Sequence, residues 1–235
     1  MAQRSFGRVE TRSATHVNEG LRIFMQKVFA TMGLGLSVTG LVAYFVASEP
    51  AIYMPILTTP LRWVLLLATL AVPLTVGMGI RKLSHSTART LFWVYAILMG
   101  ASLSSILLAY TTESVARVFL ITACMFGGMS LYGYVTKNDL SRYGSFLFMG
   151  LLGVILASVV NLFIGSTPLQ LALSVITVLV FTGLTAYDVQ MIKGFYRPEL
   201  SEAEHSKFVT LSALNLYLDF INIFLAMMRL FGDRR

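Results

Sequence analysis

Two aspartates, Asp188 and Asp219, carry the most pronounced chemical potential in this sequence. Of eleven acidic residues, nine fall in segments that read as loops or tails, and these two fall inside long apolar runs, Leu169 to Ile192 and Phe208 to Met228. A charged carboxylate at the centre of a bilayer costs roughly 2.5–3.5 kcal/mol even on lenient insertion scales, so each must face a bundle interior, a partner or water. If the two meet, both cannot ionise cheaply in a low dielectric; they would share a proton and titrate as one unit. Three chemistries fit such a pair: proton or ion handling, which the placement favours, an interhelical hydrogen bond between protonated acids, or paired catalytic carboxylates.

Helical spacing extends the site. Ser212, Asn215, Asp219 and Asn222 recur at three- and four-residue intervals, which lines one face of an otherwise Leu-, Ile- and Phe-rich helix with polar groups. Ser174, Thr177, Thr185 and Asp188 form a weaker row on the preceding run, where single hydroxyls usually bond back to their own backbone. Counted from the ends of the apolar runs, Asp188 and Asp219 differ in depth by about 9 Å at 1.5 Å per residue, a gap that tilt or an earlier helix start must close. Arg81, next to Lys82 at the end of another apolar run, is either a cation that reaches Asp188 or one that snorkels to the interface. Spacing alone favours snorkelling.

These residues need a lipid-embedded scaffold. The 235-residue chain is 56% hydrophobic and 12% charged, against about a quarter charged in soluble domains, and its mean hydropathy is +0.75. Seven runs approach the roughly 20 apolar residues needed to cross a bilayer as helix: Val28 to Ser48, Trp63 to Ile80, Leu91 to Tyr110, Val118 to Thr136, Tyr143 to Ile164, and the two named above. Continuous apolarity excludes an alternating-strand barrel. The expected fold is therefore an all-α membrane protein of seven transmembrane helices, with an N-terminal arm over 1–27, a membrane domain over 28–231 and a tail over 232–235. Thirteen of the 18 Lys and Arg collect on the side of the arm, which places the N-terminus in the cytoplasm and the C-terminus outside. The basic tail, Arg229, Arg234 and Arg235, opposes that rule, so either it is carried across or the last segment re-enters; its length favours crossing. Pro73 predicts a kink. Gly33, Gly35, Gly40, Gly127, Gly128, Gly150 and Gly153 read as close helix packing. The longest connection, Lys193 to Lys207, is broken by Pro198.

Composition narrows the function classes. The net charge of +7 is spread over isolated basic residues between apolar runs, with no stripe for nucleic acid. Cys124 is the single cysteine, which leaves no intramolecular disulfide. His16, His85 and His205 fall in polar connecting segments, so the apolar runs hold neither a histidine base nor a zinc cluster. No cofactor is expected. The first apolar run has no cleavage site and should remain as a span.

Ala186-Tyr187-Asp188-Val189-Gln190-Met191-Ile192 and Leu211-Ser212-Ala213-Leu214-Asn215-Leu216-Tyr217-Leu218-Asp219-Phe220-Ile221-Asn222 resemble the sixth- and last-helix motifs of the Bax inhibitor-1 family, the transmembrane Bax-inhibitor-motif proteins. Asn161, followed by Leu162 and Phe163, also fits, and span number and short loops agree over nearly the whole chain. The resemblance implies a bundle with the last helix central and a pH-sensitive calcium leak across the membrane. In it Asp188 and Asp219 would form the proton-sensing pair, with calcium passing transiently between them, and Arg81 would latch the closed state. Ser212, Asn215 and Asn222 form the supporting polar stripe. The expected partners are the lipid bilayer, calcium ions, protons and other membrane proteins, at a bacterial inner membrane.

Two other classes compete. An intramembrane aspartyl protease also places two aspartates on consecutive helices, one in a Tyr-Asp pair like Tyr187-Asp188, yet Asp219 is not in a Gly-x-Gly-Asp turn and no Pro-Ala-Leu segment follows. An enzyme is therefore not expected. A quality-control partner of a membrane protease, without transport, would make the aspartates structural. A rhomboid-like protease lacks its membrane histidine, and a retinal protein lacks its lysine in the last span.

Overall fold

The computed structural model describes residues 3–79 and 84–235. Among them are eight helices: α1 Gln3–Ser48, α2 Pro50–Thr58, α3 Leu61–Gly79, α4 His85–Ala109, α5 Thr112–Val135, α6 Ser141–Ile164, α7 Thr167–Lys193 and α8 Glu202–Phe231. Six of these are long and apolar enough to cross a membrane: Glu19–Ser48 of α1, and α4, α5, α6, α7 and α8. The span expected at Trp63 to Ile80 corresponds to α3, which carries the apolar stretch Trp63–Pro73 and contains Pro73 within a continuous helix. The short α2 fills what the sequence reads as a loop. Pro50 starts it, because a proline at the first helical position gives up an amide that would be unpaired anyway. Helix α1 runs unbroken from Gln3 through the arm into the first span.

Helix starts follow local chemistry. Ser84, Thr111, Ser166 and Ser201 each accept a hydrogen bond from the amide three residues on, satisfying one of the four orphan donors of a helix N-terminus. Ser201 and Glu204 make a full capping box, so α8 begins six residues before the apolar run at Phe208, and the expected long loop shrinks to residues 194–201. The polar first turns also absorb two histidines: His85 and His205 lie inside α4 and α8. Gly165, at φ 67°, ends α6 in the left-handed region that glycine alone enters at little cost.

Helix α8 is the centre of the bundle. Sixteen of its 30 residues are buried, and it packs against α7, α1, α5 and α4. Helix α6 is the opposite case: Val154 is its one buried residue, while Phe146, Phe148, Met149, Leu156 and Phe163 face outward as a lipid-contacting surface does. A helix apolar all round is stable there because lipid is as apolar as a core.

The tightest helix approaches occur at glycines other than most of those the sequence singles out. A side chain at Gly133 would strike the Ala186 backbone of α7, and one at Gly100 would strike Thr39 and Val42 of α1. By contrast Gly33, Gly40, Gly127, Gly128 and Gly153 face open space, while Gly35 and Gly150 do abut neighbouring side chains. Sequence position cannot tell which face of a uniformly apolar helix turns inward.

Helix α8 runs unbroken to Phe231, and the tail then pairs with the turn between α4 and α5. Thr111 N–H donates to the Asp233 carbonyl at 2.9 Å, and Arg235 N–H donates to the Ala109 carbonyl at 3.0 Å. Asp233 N–H donates to the Ser114 hydroxyl at 3.0 Å, and Arg117 pairs with the Asp233 carboxylate at 2.7 Å. The C-terminus therefore lies at the same end of the bundle as the α4–α5 turn.

Candidate functional site

Asp219 is 4% exposed, on the inward face of the central helix, and its Oδ2 has no hydrogen-bond partner. Ser212 lies two turns earlier on the same face; it too is buried with an unpartnered hydroxyl. Buried polar atoms in folded proteins are almost always paired, so two orphans on one helical face call for an account by water, an ion or a moving proton. Asp188 on α7 is partly buried. Helix α7 packs directly against α8, and no hydrogen bond joins the two carboxylates.

The rest of the expected stripe divides. Asn215 is exposed. Asn222 donates its side-chain amide to the Leu218 carbonyl of its own helix at 2.8 Å, so it is committed locally. On α7, Ser174, Thr177 and Thr185 donate to carbonyls four residues back, at 2.9, 2.7 and 2.8 Å. Back-bonding of this kind is the ordinary fate of a membrane-helix hydroxyl. Thr182 of α7 and Thr122 and Ser130 of α5 differ, because their buried hydroxyls have no partner. Arg81 lies outside the described residues.

Aromatic packing holds α8 from two sides. The single Thr39 hydroxyl proton is shared between the Ala96 and Gly35 carbonyls, both at 2.9 Å, so Thr39 Oγ1 accepts from the Tyr217 hydroxyl at 2.7 Å. The Tyr217 ring meets Tyr95 and Phe92 edge-on at 5.7 and 6.1 Å. On the other side Phe220 lies between Phe119 and Phe126, at 5.4 and 5.6 Å. Asp219 is thereby fixed in depth and rotation by its neighbours at 217 and 220.

Two residues beside Asp188 escape a sequence reading. Gln190 accepts the Leu140 amide at 2.7 Å and donates to the Asn138 carbonyl at 2.8 Å. Lys193 donates to the Tyr134 carbonyl at 2.6 Å and sits 5.2 Å from that ring's centre. Together they tie the α5–α6 connection to the end of α7. In sequence they look like ordinary polar residues at a span end; only their contacts set them apart. Asn161 accepts the Ser166 amide at 3.1 Å and shapes the turn after α6. Among the described residues no three His, Cys, Asp or Glu side chains cluster to hold a metal ion.

The sequence matches the family described as "Inhibitor of apoptosis-promoting Bax1" over residues 21–235. An uncharacterised protein of Rickettsia prowazekii is 45% identical over 93% of this chain and 92% of its own length. The inner membrane protein YbhL of Escherichia coli K12 is 44% identical over 92% of this chain and 94% of its own. An uncharacterised membrane protein of Streptococcus pyogenes is 35% identical over 93% and 96%.

Proposed function

This chain belongs to the Bax inhibitor family and is a multi-pass protein of the cell membrane, and from that premise we propose that it is a pH-sensitive cation leak, with calcium as its ion. The observation that carries the proposal is the unpartnered Oδ2 of Asp219, buried on the central helix against which the Asp188-bearing α7 packs. A carboxylate so placed is stable only when protonated or when water or a cation solvates it, so the charge of the interior follows proton supply. Ser212, orphaned on the same face, supplies a second oxygen along the route. Two carboxylates are too few for a tight calcium site, which takes six to eight oxygens, and suit an ion in transit.

In this reading α3 completes a seven-helix bundle, its 19 residues giving about 28 Å of helix. The N-terminus is cytoplasmic, and Arg81 latches the closed state. The chain is not an enzyme. Purified protein in vesicles loaded with a calcium dye tests the reading. Flux should change between pH 8 and pH 6, and Asp219→Asn should abolish that change; a flux that is independent of pH and of Asp219→Asn sinks the leak. Arg81→Ala should raise the resting leak, and an unaltered or lower leak removes the latch.

A further inference from the structure

A cleft of about 730 Å³ runs between the middle of α1 and the end of α5, within the range of about 300–1,000 Å³ usual for small-molecule sites. Nothing in the route through Asp188 and Asp219 uses it. Its floor is apolar and buried, formed by Met25 and Phe126, and Phe29 and the exposed Leu131 form its walls. Gly127 leaves one side without a side chain, and a Cβ there would meet nothing within 4 Å. Arg22 and Gln26 stand at the rim, both exposed. Among the described residues Arg22 makes no ion pair, and the one salt bridge is Arg117–Asp233.

The lining is ordered along its length. Phe24 of α1 packs on Tyr196 at 5.9 Å, and Lys193 bonds to Tyr134 of α5, so Arg22 and Tyr134 belong to one end of the bundle. From Arg22 to Phe29 is about 10 Å of helix rise. Over that distance the cleft passes from a cation, through Gln26 and Ser130, to phenyl rings. Ser130 is 5% exposed, lines the cleft, and has no hydrogen-bond partner. Its Oγ is closed off from the cleft space, so Ser130 lines the cleft through its other atoms.

We propose that the α1–α5 cleft binds one anionic phospholipid, with its phosphate at Arg22 and an acyl chain along Gly127 and Phe126. Two parts of that molecule match two levels of the cleft: negative charge at the exposed guanidinium, and a hydrocarbon chain on the apolar floor. Basic pockets between membrane helices at the interface recognise lipid head groups in this way. A soluble anion would satisfy Arg22 and leave the floor empty, so the acyl chain is the distinguishing element.

Native mass spectrometry of the full chain, delipidated and titrated with phosphatidylglycerol or phosphatidylcholine, tests this. The wild type should retain one phosphatidylglycerol in preference to phosphatidylcholine. Arg22→Gln should reduce that preference about fivefold, the worth of one basic residue near an anionic head group. Gly127→Leu should fill the cleft and lose the bound lipid, while its melting temperature in detergent stays at or above that of the wild type, because the added atoms enter open space. Equal retention of the two lipids by the wild type overturns the proposal. So does unchanged retention by a folded Gly127→Leu, or full competition by chainless glycerophosphate.

Discussion

Asp219→Met measures whether the central aspartate is held for function or for stability, because the two roles predict opposite signs. Asp219 is almost fully buried, and one of its carboxyl oxygens has no partner. An unsatisfied buried polar group costs about 1–3 kcal/mol. Methionine removes that cost, is unbranched and adapts to irregular space, and exceeds aspartate in helix propensity. Asp219→Met should therefore raise stability by about 1–3 kcal/mol. The isosteric Asp219→Asn keeps a buried polar group and should stay near the wild type. For a chain of this size each kcal/mol corresponds to a melting shift of about 2–4 °C by analogy with soluble domains. Unfolding in dodecyl maltoside on titration with SDS, followed by the fluorescence of Trp63 and Trp93, reads the difference directly. If the aspartate were interhelical glue, Asp219→Met would instead leave its partner bare and lose about 1–3 kcal/mol. A loss of that size would refute the argument that Asp219 is retained at a cost to stability, and with it the main support for an ion route.

Three further outcomes are expected. Gly133→Ala should destabilise by about 1–3 kcal/mol, because its Cβ meets the Ala186 backbone, whereas Gly127→Ala should be neutral or gain up to about 1 kcal/mol of helix propensity; detergent unfolding of the two variants compares them. In a Cys124→Ser background, Glu113→Cys and Arg235→Cys should react with an impermeant maleimide from one side of the membrane and Glu199→Cys from the other, since the tail is bonded to the α4–α5 turn; labelling of residues 199 and 235 from one side would contradict the course of α8. Asp139, at the start of α6, titrates below the usual carboxylate range because Ser141 hydrogen-bonds to it through side chain and backbone. A depressed folded value means that this contribution to the loop is complete above the ordinary carboxylate pKa and is lost as pH falls through the lowered one. Ser141→Ala should return the Asp139 titration toward the ordinary value, as read by carboxyl carbon NMR.

Much of the fold was legible in one dimension because lipid imposes a simple rule: a crossing segment must be long, apolar and helical. The apolar runs gave α4 to α7 with ends displaced by only a few residues, apart from the first turns of α4 and α5, which polar caps extend into segments that read as loops. The same effect placed the start of α8 at Ser201 and Glu204, whose capping energy outweighs their polarity. The short α2 was missed because its three-proline neighbourhood, Pro50, Pro55 and Pro60, reads as broken chain.

The sequence by itself determined which residues bear the membrane's chemistry, since a carboxylate within an apolar run is costly whatever surrounds it; hence Asp188 and Asp219 stood out without coordinates. Rotation about each helix was decided only by tertiary packing. Every face of a lipid-embedded helix is apolar, so periodicity does not say which side turns inward. That is why Asn215 emerged exposed and Asn222 bonded to its own backbone, while Ser212, Thr122 and Ser130 were left as buried orphans. It is also why Gly133 and Gly100, instead of Gly127 or Gly33, are where one helix meets the backbone of another. The grip of Gln190 and Lys193 on the α5–α6 connection joins residues some 50 to 60 positions apart, a distance over which helix spacing carries no information.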